Sequence, residues 1–338
     1  MGCTGMMARR RGRRLSCAGR RDVVCRDVAC NVSTLALGGP AVNSIVALGN
    51  FDGVHLGHQA VVRRAVEEGR RRGVRVVAAT FDPHPRAVLA PGSEPKLLTT
   101  LDLRREALLG YGADEVRVIR FDEELSRKSP EEFVGDVLVG EMGAEAVVVG
   151  ENFRFGHKAA GDVGDLGRIM GGFGGAAYAV PIRSEDGEGA ISSTRIRSLV
   201  GAGEVEEAAR LLGRPYVLRG EVVVGDKRGR TIGFPTANVL PEPALVVPAR
   251  GVYAGFVRVG KEFYAACTNV GVAPTFERRE SRVEAHLLGF DGDLYGHVVD
   301  VSFLRKIRPE KRFSGVEELK EQITRDVEEA RRITNDTT

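Results

Sequence analysis

An α/β chain in two parts is predicted by three features of the sequence. Short β-branched runs alternate with helical stretches from Ser44 to Leu212, a two-residue periodicity takes over after Leu212, and one amphipathic helix closes the chain. Residues 44–212 are expected to form a doubly wound, mostly parallel sheet with helices on its faces. Residues 213–338 are expected to form a small antiparallel β-barrel with a C-terminal helix. A chain of 338 residues has room for two such cores.

In the first part, Ile45 to Leu48, Val74 to Phe81, Val116 to Phe121, Ala146 to Val149 and Ala176 to Ile182 read as strands buried on both faces. A helix begun near Gly57 ends at Gly73, and Ser129-Pro130 sets an N-cap before a first-turn proline. Ligands of such sheets bind at the carboxyl ends of the strands. In the second part Val217 to Val224, Gly251 to Val259, Arg282 to Leu288 and His297 to Leu304 alternate as antiparallel strands. Ser314 and Glu317 predict a capping box ahead of an apolar stripe of Val316, Leu319, Ile323 and Val327.

Residues 1–43 stand apart. Eight arginines against two aspartates make this stretch +6, which leaves −3 for the rest of a chain of net charge +3. A mildly acidic body argues against a nucleic-acid surface, and no apolar run is long enough to span a membrane. Four of the five cysteines lie in the basic stretch, separated by 13, 7 and 4 residues, without the paired spacing of a zinc site. The body keeps Cys267 alone and can form no internal disulfide, which suits the reducing cytoplasm. The stretch is expected to be a disordered extension or the product of a start codon set too early.

The segment Gly49-Asn50-Phe51-Asp52-Gly53-Val54-His55-Leu56-Gly57-His58 follows the first strand and opens the first helix. Gly53 and Gly57 let backbone approach a ligand, the helix N-terminus offers N–H groups to an anion, and His55 and His58 can donate to phosphate oxygens as charge builds. Structural histidines or an H-x-x-H metal pair are the alternatives, but no carboxylate or cysteine stands at ligand spacing beside them. Gly172-x-Gly174-x-x-Ala177 loosely matches a dinucleotide fingerprint, yet it precedes a strand instead of following one. No phosphate-binding loop of the G-x-x-x-x-G-K-[ST] type occurs.

His55-Leu56-Gly57-His58 resembles the H-x-G-H signature of the Rossmann-like nucleotidyltransferases related to class I aminoacyl-tRNA synthetases. Ile191-Ser192-Ser193-Thr194-Arg195-Ile196-Arg197 resembles their second motif. With Thr80-Phe81-Asp82-Pro83-His84-Pro85 and Gly150-Glu151-Asn152-Phe153-Arg154-Phe155-Gly156, the first part is similar to the FMN adenylyltransferase domain of prokaryotic bifunctional FAD synthetases. The resemblance implies an ATP site of Gly49, Phe51, Gly53, His55, Gly57, His58, Ser192, Thr194 and Arg197. It implies a flavin side of Asp82, Asn152 and Arg154.

Residues Gly225 to Asn238 read G-D-K-R-G-R-T-I-G-F-P-T-A-N. Oxygen-bearing side chains suit magnesium, which makes Thr236 and Asn238 candidate metal ligands; a plain proline-containing turn is the alternative. The run resembles the G-F-P-T-A-N signature of riboflavin kinases. Asn269 to Phe276, Glu284 to Leu288, Gly292 to Gly296 and Ile307-Arg308 follow in that family's order, while Glu277 to Ser281 is more charged than its pattern. The resemblance implies nucleotide contacts at Gly229, Arg230, Gly233, Thr236 and Asn238 and a flavin contact at Asn269.

On a strand, Val283, Ala285 and Leu287 share one face and send Glu284 to the other, where it can act as general base toward a hydroxyl. The resemblance places a catalytic glutamate there; a solvated ion pair with Arg282 is the alternative. The expected activities are phosphorylation of riboflavin by the second part and adenylylation of FMN by the first, with Mg2+ and ATP. The expected partners are these small molecules, with no nucleic acid or membrane. Two rivals remain open. A different adenylyltransferase leaves the β-domain without a role, and a non-catalytic flavin-binding protein would bind flavin without ATP turnover.

Overall fold

The computed structural model describes residues 43–181, 189–225, 229, 232–274 and 279–337. The basic stretch up to residue 42, Ile182 of the fifth expected strand, Arg230, and residues 275–278 lie outside them.

The first part runs β1 (Ser44–Leu48), α1 (Leu56–Arg72), β2 (Arg75–Asp82), α2 (Pro85–Leu89), α3 (Leu101–Gly110), β3 (Glu115–Arg120), α4 (Glu123–Arg127), α5 (Pro130–Glu132), β4 (Ala144–Gly150), α6 (Val163–Gly172) and β5 (Ala176–Val180). Helix α5 continues into a π-helical stretch over Phe133–Glu141. The strands are parallel in the order β3-β2-β1-β4-β5. Alternate residues of β1 go to opposite faces: Val46 and Leu48 join one buried cluster, Ile45 and Ala47 another. Two covered faces explain the continuous apolar runs. Because β2 and β4 flank β1 on opposite sides, the chain leaves the sheet centre both ways, and the crevice beyond the carboxyl ends opens there.

The chain ends expected of α1 and α5 are present. Gly73 caps α1 in the left-handed region at φ 70°, and Ser129 with Glu132 forms a reciprocal capping box. The Gly172–Ala177 stretch joins α6 to β5 as a turn.

Helices α7 (Ser193–Ala202) and α8 (Val205–Leu212) lead into a closed barrel of β6 (Tyr216–Val223), β7 (Ala237–Pro241), β8 (Gly251–Val259), β9 (Glu262–Pro274), β10 (Arg279–Leu287) and β11 (Val298–Arg308), in the order β10-β7-β6-β11-β8-β9. Two of these, β7 and β9, are not expected as strands from periodicity. The middle of β9 is buried on both sides: Ala266 and Val270 fill the barrel, while Cys267 packs under the last helix, so no alternation marks it there. Strand β7 is five residues long and follows the glycine-rich loop directly.

The last helix, α9 (Val316–Thr337), corrects two expectations. It begins two residues after Ser314, so Glu318 and not Glu317 occupies its third position. The Glu318 carboxylate accepts from the Ser314 backbone N–H at 3.0 Å and from its hydroxyl at 2.8 Å. These bonds, with Lys311 beside them, pull its pKa down to about 2. The apolar stripe also shifts toward the C-terminus. Val316 is exposed, and Val327, Ala330 and Ile333 cover Val252, Ala254 and Cys267.

One buried cluster crosses from the first part into the second, joining Leu98, Ile196, Val200, Val205 and Leu211 to the barrel interior of Tyr216, Val239, Val283 and Phe303.

Candidate active sites

The loop after β1 is strained. Phe51 and Val54 have φ of 50° and 43°, and Gly53 has φ 83°. Positive φ is rare for any residue with a Cβ and costs most for a branched one such as Val54. Several contacts hold the loop in this shape. Gly53 N–H donates to Thr99 Oγ1 at 3.2 Å and its carbonyl accepts from Arg214 at 3.0 Å. Gln59 Nε2 donates to the Val54 carbonyl at 2.9 Å and the Leu212 carbonyl at 2.7 Å. At φ 83° any other residue at Gly53 would be strained, and its Cβ would fall 2.7 Å from Leu98 Cδ1.

His55 caps α1. Its Nδ1 accepts from the His58 backbone N–H at 3.4 Å, which puts the imidazole proton on Nε2. The two rings stack at 3.6 Å between centroids, and Phe51 meets His58 edge-on at 5.3 Å. Gly57 lies under His55, where a Cβ would come within 3.1 Å of the ring. Burial, then the nearby Arg214 charge, lowers the His55 pKa to about 4. Burial, then His55 and Arg104, lowers that of His58 as well. Both rings are therefore neutral at pH 7, and donate as imidazoles without adding charge. With no acidic residue in its first turn, α1 keeps its positive end for an anion.

Across the cleft, Ser192 caps α7 by accepting from Arg195 N–H at 3.3 Å. Arg197 donates to Thr194 Oγ1 at 3.1 Å and to Asp52 Oδ2 at 2.8 Å. The other oxygen of Asp52 accepts from the N–H groups of Leu98 and Thr99 at 2.8 and 3.2 Å. Asp52 therefore aims Arg197 while being itself buried.

Between these walls lies a cleft of about 740 Å³. Gly49, Phe51, His55, Gly57, His58, Ser192, Thr194, Arg197, Asn152 and Arg154 all line it. Gly53 and Asp82 do not. Gly53 turns the loop from behind, and Asp82 ends β2 as an exposed residue. The lining also holds Phe81, Phe121, Phe133, Phe153 and Phe155, whose rings follow one another at 5.8 to 6.5 Å. Such a wall suits a flat aromatic ligand. The linking role of Asp52, Gln59 and Arg214 has no local signal in the sequence beyond Asp52's place inside the motif.

The second site is a row across three barrel strands. Glu284 on β10 stands directly opposite Asn238 on β7 and Asn269 on β9. Three residues expected separately thus come together. Val283, Ala285 and Leu287 fill the barrel, and Glu284 is half-buried on the outer face. Its carboxylate lies 2.8 Å from Arg282 Nη2 and accepts from Asn269 Nδ2 at 3.4 Å, so the ion pair with Arg282 forms within the row. Asn238 Oδ1 accepts from the same guanidinium at 2.9 and 3.1 Å. Gly225 leaves room for this residue, since a Cβ there would lie 2.3 Å from the Asn238 amide and push it aside.

The turn before β7 is tied to the row. Phe234 N–H donates to Gly229 O at 2.8 Å, His286 Nδ1 lies 2.7 Å from Pro235 O, and Phe234 meets the His286 ring edge-on. Gly233 turns at φ 91° and is exposed. Thr236 sits just ahead of β7, two residues before Asn238. Among the described residues no cluster of His, Cys, Asp and Glu forms a metal site by itself. Thr236 and Asn238 offer the oxygen donors magnesium prefers.

A family model described as FAD synthetase matches residues 40–195, and one described as riboflavin kinase matches residues 212–334. A bifunctional riboflavin kinase/FMN adenylyltransferase of Listeria monocytogenes is 38% identical over 86% of this chain and 92% of its own length. That of Bacillus subtilis is 38% identical over 85% and 91%. That of Escherichia coli K12 is also 38% identical over 85% and 91%. A crystal structure described as a macrolide-efflux protein from Streptococcus pneumoniae shares the fold with a TM-score of 0.79 at 35% identity, over 87% of this chain and 95% of that one. In the present protein no described helix is long and apolar enough to cross a membrane. The two cleft motifs, the barrel row and these matches agree in order along the sequence: the chain belongs to the bifunctional riboflavin kinase/FMN adenylyltransferase family.

Proposed function

We propose that residues 213–338 transfer the γ-phosphoryl group of ATP to the ribityl 5′-hydroxyl of riboflavin, and that residues 44–212 adenylylate the resulting FMN to FAD. The observation that carries this reading is that each part gathers its own motif residues: the phosphate-side and aromatic-side groups in one cleft, and Asn238, Glu284 and Asn269 in one strand row.

In the cleft, an FMN phosphate oxygen attacks the α-phosphorus of ATP in line and pyrophosphate leaves. The α1 N-terminus, the His55 Nε2–H and the His58 imidazole stabilise charge on the phosphoryl oxygens. Ser192, Thr194 and Arg197 hold the polyphosphate from the opposite side. Asn152, Arg154 and the phenylalanine wall orient the flavin, and the strained loop keeps both imidazoles in place before substrate arrives.

In the barrel, Glu284 takes the proton of the ribityl hydroxyl as its oxygen bonds to the γ-phosphorus, the bond to the β–γ bridging oxygen breaks and ADP leaves. Asn269 orients that carboxylate and lies toward the flavin. Thr236 and Asn238 would hold Mg2+, which neutralises phosphate charge when bound; Gly229, Arg230 and Gly233 contribute to the nucleotide loop. The substrates are small molecules met in the cytoplasm, with no role for nucleic acid or membrane. Incubation with riboflavin, ATP and Mg2+, followed by chromatographic separation of flavins, should give FMN first and FAD later. Appearance of neither product contradicts the reading.

A further inference from the structure

The barrel row contains a cation that this chemistry leaves without a task. Arg282 stands two residues before Glu284 on β10, so both side chains leave the same face of the strand. Its Nε and Nη2 both donate to Asn238 Oδ1, at 3.1 and 2.9 Å, and Nη2 lies 2.8 Å from Glu284 Oε1. Two donors of one planar fork reach the amide oxygen from the same side, so a full positive charge sits against it. The Glu284 carboxylate has about four acceptor sites and keeps some free even with Arg282 and Asn269 bound. At Asn238 the guanidinium charge itself is the obstacle. Mg2+ takes its oxygens at about 2.0 to 2.1 Å, so on Asn238 Oδ1 it would stand beside the guanidinium charge and be repelled by it. Metal and Arg282 therefore compete at Asn238, whereas Arg282 and a substrate hydroxyl can share Glu284.

We propose that Arg282 is a positioning residue that works as a latch on the kinase site. Without ligand it ties Asn238 on β7 to Glu284 on β10. The metal–nucleotide complex opens it by taking Asn238 Oδ1, and the guanidinium stays on Glu284. Both ends of the Arg282–Glu284 pair are 25% exposed, so the side chain has solvent to swing into. The inference rests on the reading of Asn238 as a metal ligand.

The test is Mn2+ titration of the full chain saturated with ADP, with free Mn2+ followed by electron paramagnetic resonance. It compares wild type, Arg282→Gln, Asn238→Ala and the double variant, each checked for folding by thermal melting. Metal–nucleotide binding in the adenylylation cleft is common to all four proteins and cancels in the comparison. Arg282→Gln should tighten the Asn238-dependent site about tenfold, the scale of one charge-assisted hydrogen bond. In the Asn238→Ala background the same change should do nothing. Arg282→Met, apolar and similar in length, should repeat the tightening. Unchanged or weaker Mn2+ binding in both Arg282 variants, with binding lost in Asn238→Ala, overturns the latch alone. If Asn238→Ala alters neither the number nor the affinity of Mn2+ sites, the metal-ligand reading falls and takes the latch with it.

Discussion

His55 and His58 act as uncharged donors, and two expectations follow from that state. Replacing both by Ala removes two preorganised donors, each typically worth about 2.7 to 4 kcal/mol, so FAD formation should stop while FMN accumulates from riboflavin. Stability should also depend on acidity. His55 titrates near 4 in the folded protein and near 6.5 unfolded, so the unfolded chain binds the extra proton between those values. Its contribution is fully present above pH 6.5 and is lost as pH falls toward 4, a change of about 3 kcal/mol. Thermal melting from pH 7 to pH 4 should show a smaller decline for His55→Asn, which keeps a helix-capping side chain, than for the wild type; equal declines would contradict the neutral state. In the barrel, Glu284→Gln keeps size and hydrogen bonding but cannot take a proton, and should slow riboflavin phosphorylation by about 10² to 10⁴ while FMN adenylylation is unchanged. These residues were legible because chemistry-bearing types stand at fixed spacing beside strand ends. Asp52, Gln59 and Arg214 were not, since their roles depend on segments 46 to 161 residues away that only folding brings near.

At the scale of elements, alternation was readable wherever one strand face met solvent or both faces met a uniform apolar layer. The five parallel strands and β6, β10 and β11 follow that rule. Strands β8 and β9 depart from it, each with one face in the barrel and the other under α9, and of the two only β8 is read as a strand from the sequence. The helix cap failed by one residue: Ser314 and Glu317 fit the S-x-x-E spacing, but the helix starts at Val316, so Glu318 stands at its third position and reaches back to Ser314 instead. Glu318→Ala should therefore lower the melting temperature, whereas Glu317→Ala, which removes only an exposed pair with Lys320, should leave it unchanged. The aromatic wall as a whole was not legible, because Phe121, Phe133 and Phe153 come from three segments of the chain that only folding brings together.

At the scale of the molecule, the adenylylation loop is held by the chain that leads into the barrel. Gln59 bridges Val54 to Leu212, Arg214 reaches Gly53, and Leu97 pairs with Leu245. Glu106 of α3 meets Arg219 and Arg258, which share Asp300 in the barrel wall. Gln59→Ala leaves two buried carbonyls short of a donor, a cost of about 1 to 3 kcal/mol for each, and should slow FAD formation more than riboflavin phosphorylation. Equal slowing of the two steps would mean a general loss of folding. Deleting residues 1–43 should change neither activity, because both sites are built from later residues. The central claim is that two sites work in sequence through free FMN, and mixing tests it most directly. The His55→Ala, His58→Ala double variant should turn riboflavin into FMN only, and Glu284→Gln should turn FMN, but not riboflavin, into FAD. Together in one tube, with riboflavin, ATP and Mg2+, they should make FAD. FAD from riboflavin at the wild-type rate by either protein alone, or none from the mixture, would contradict the account.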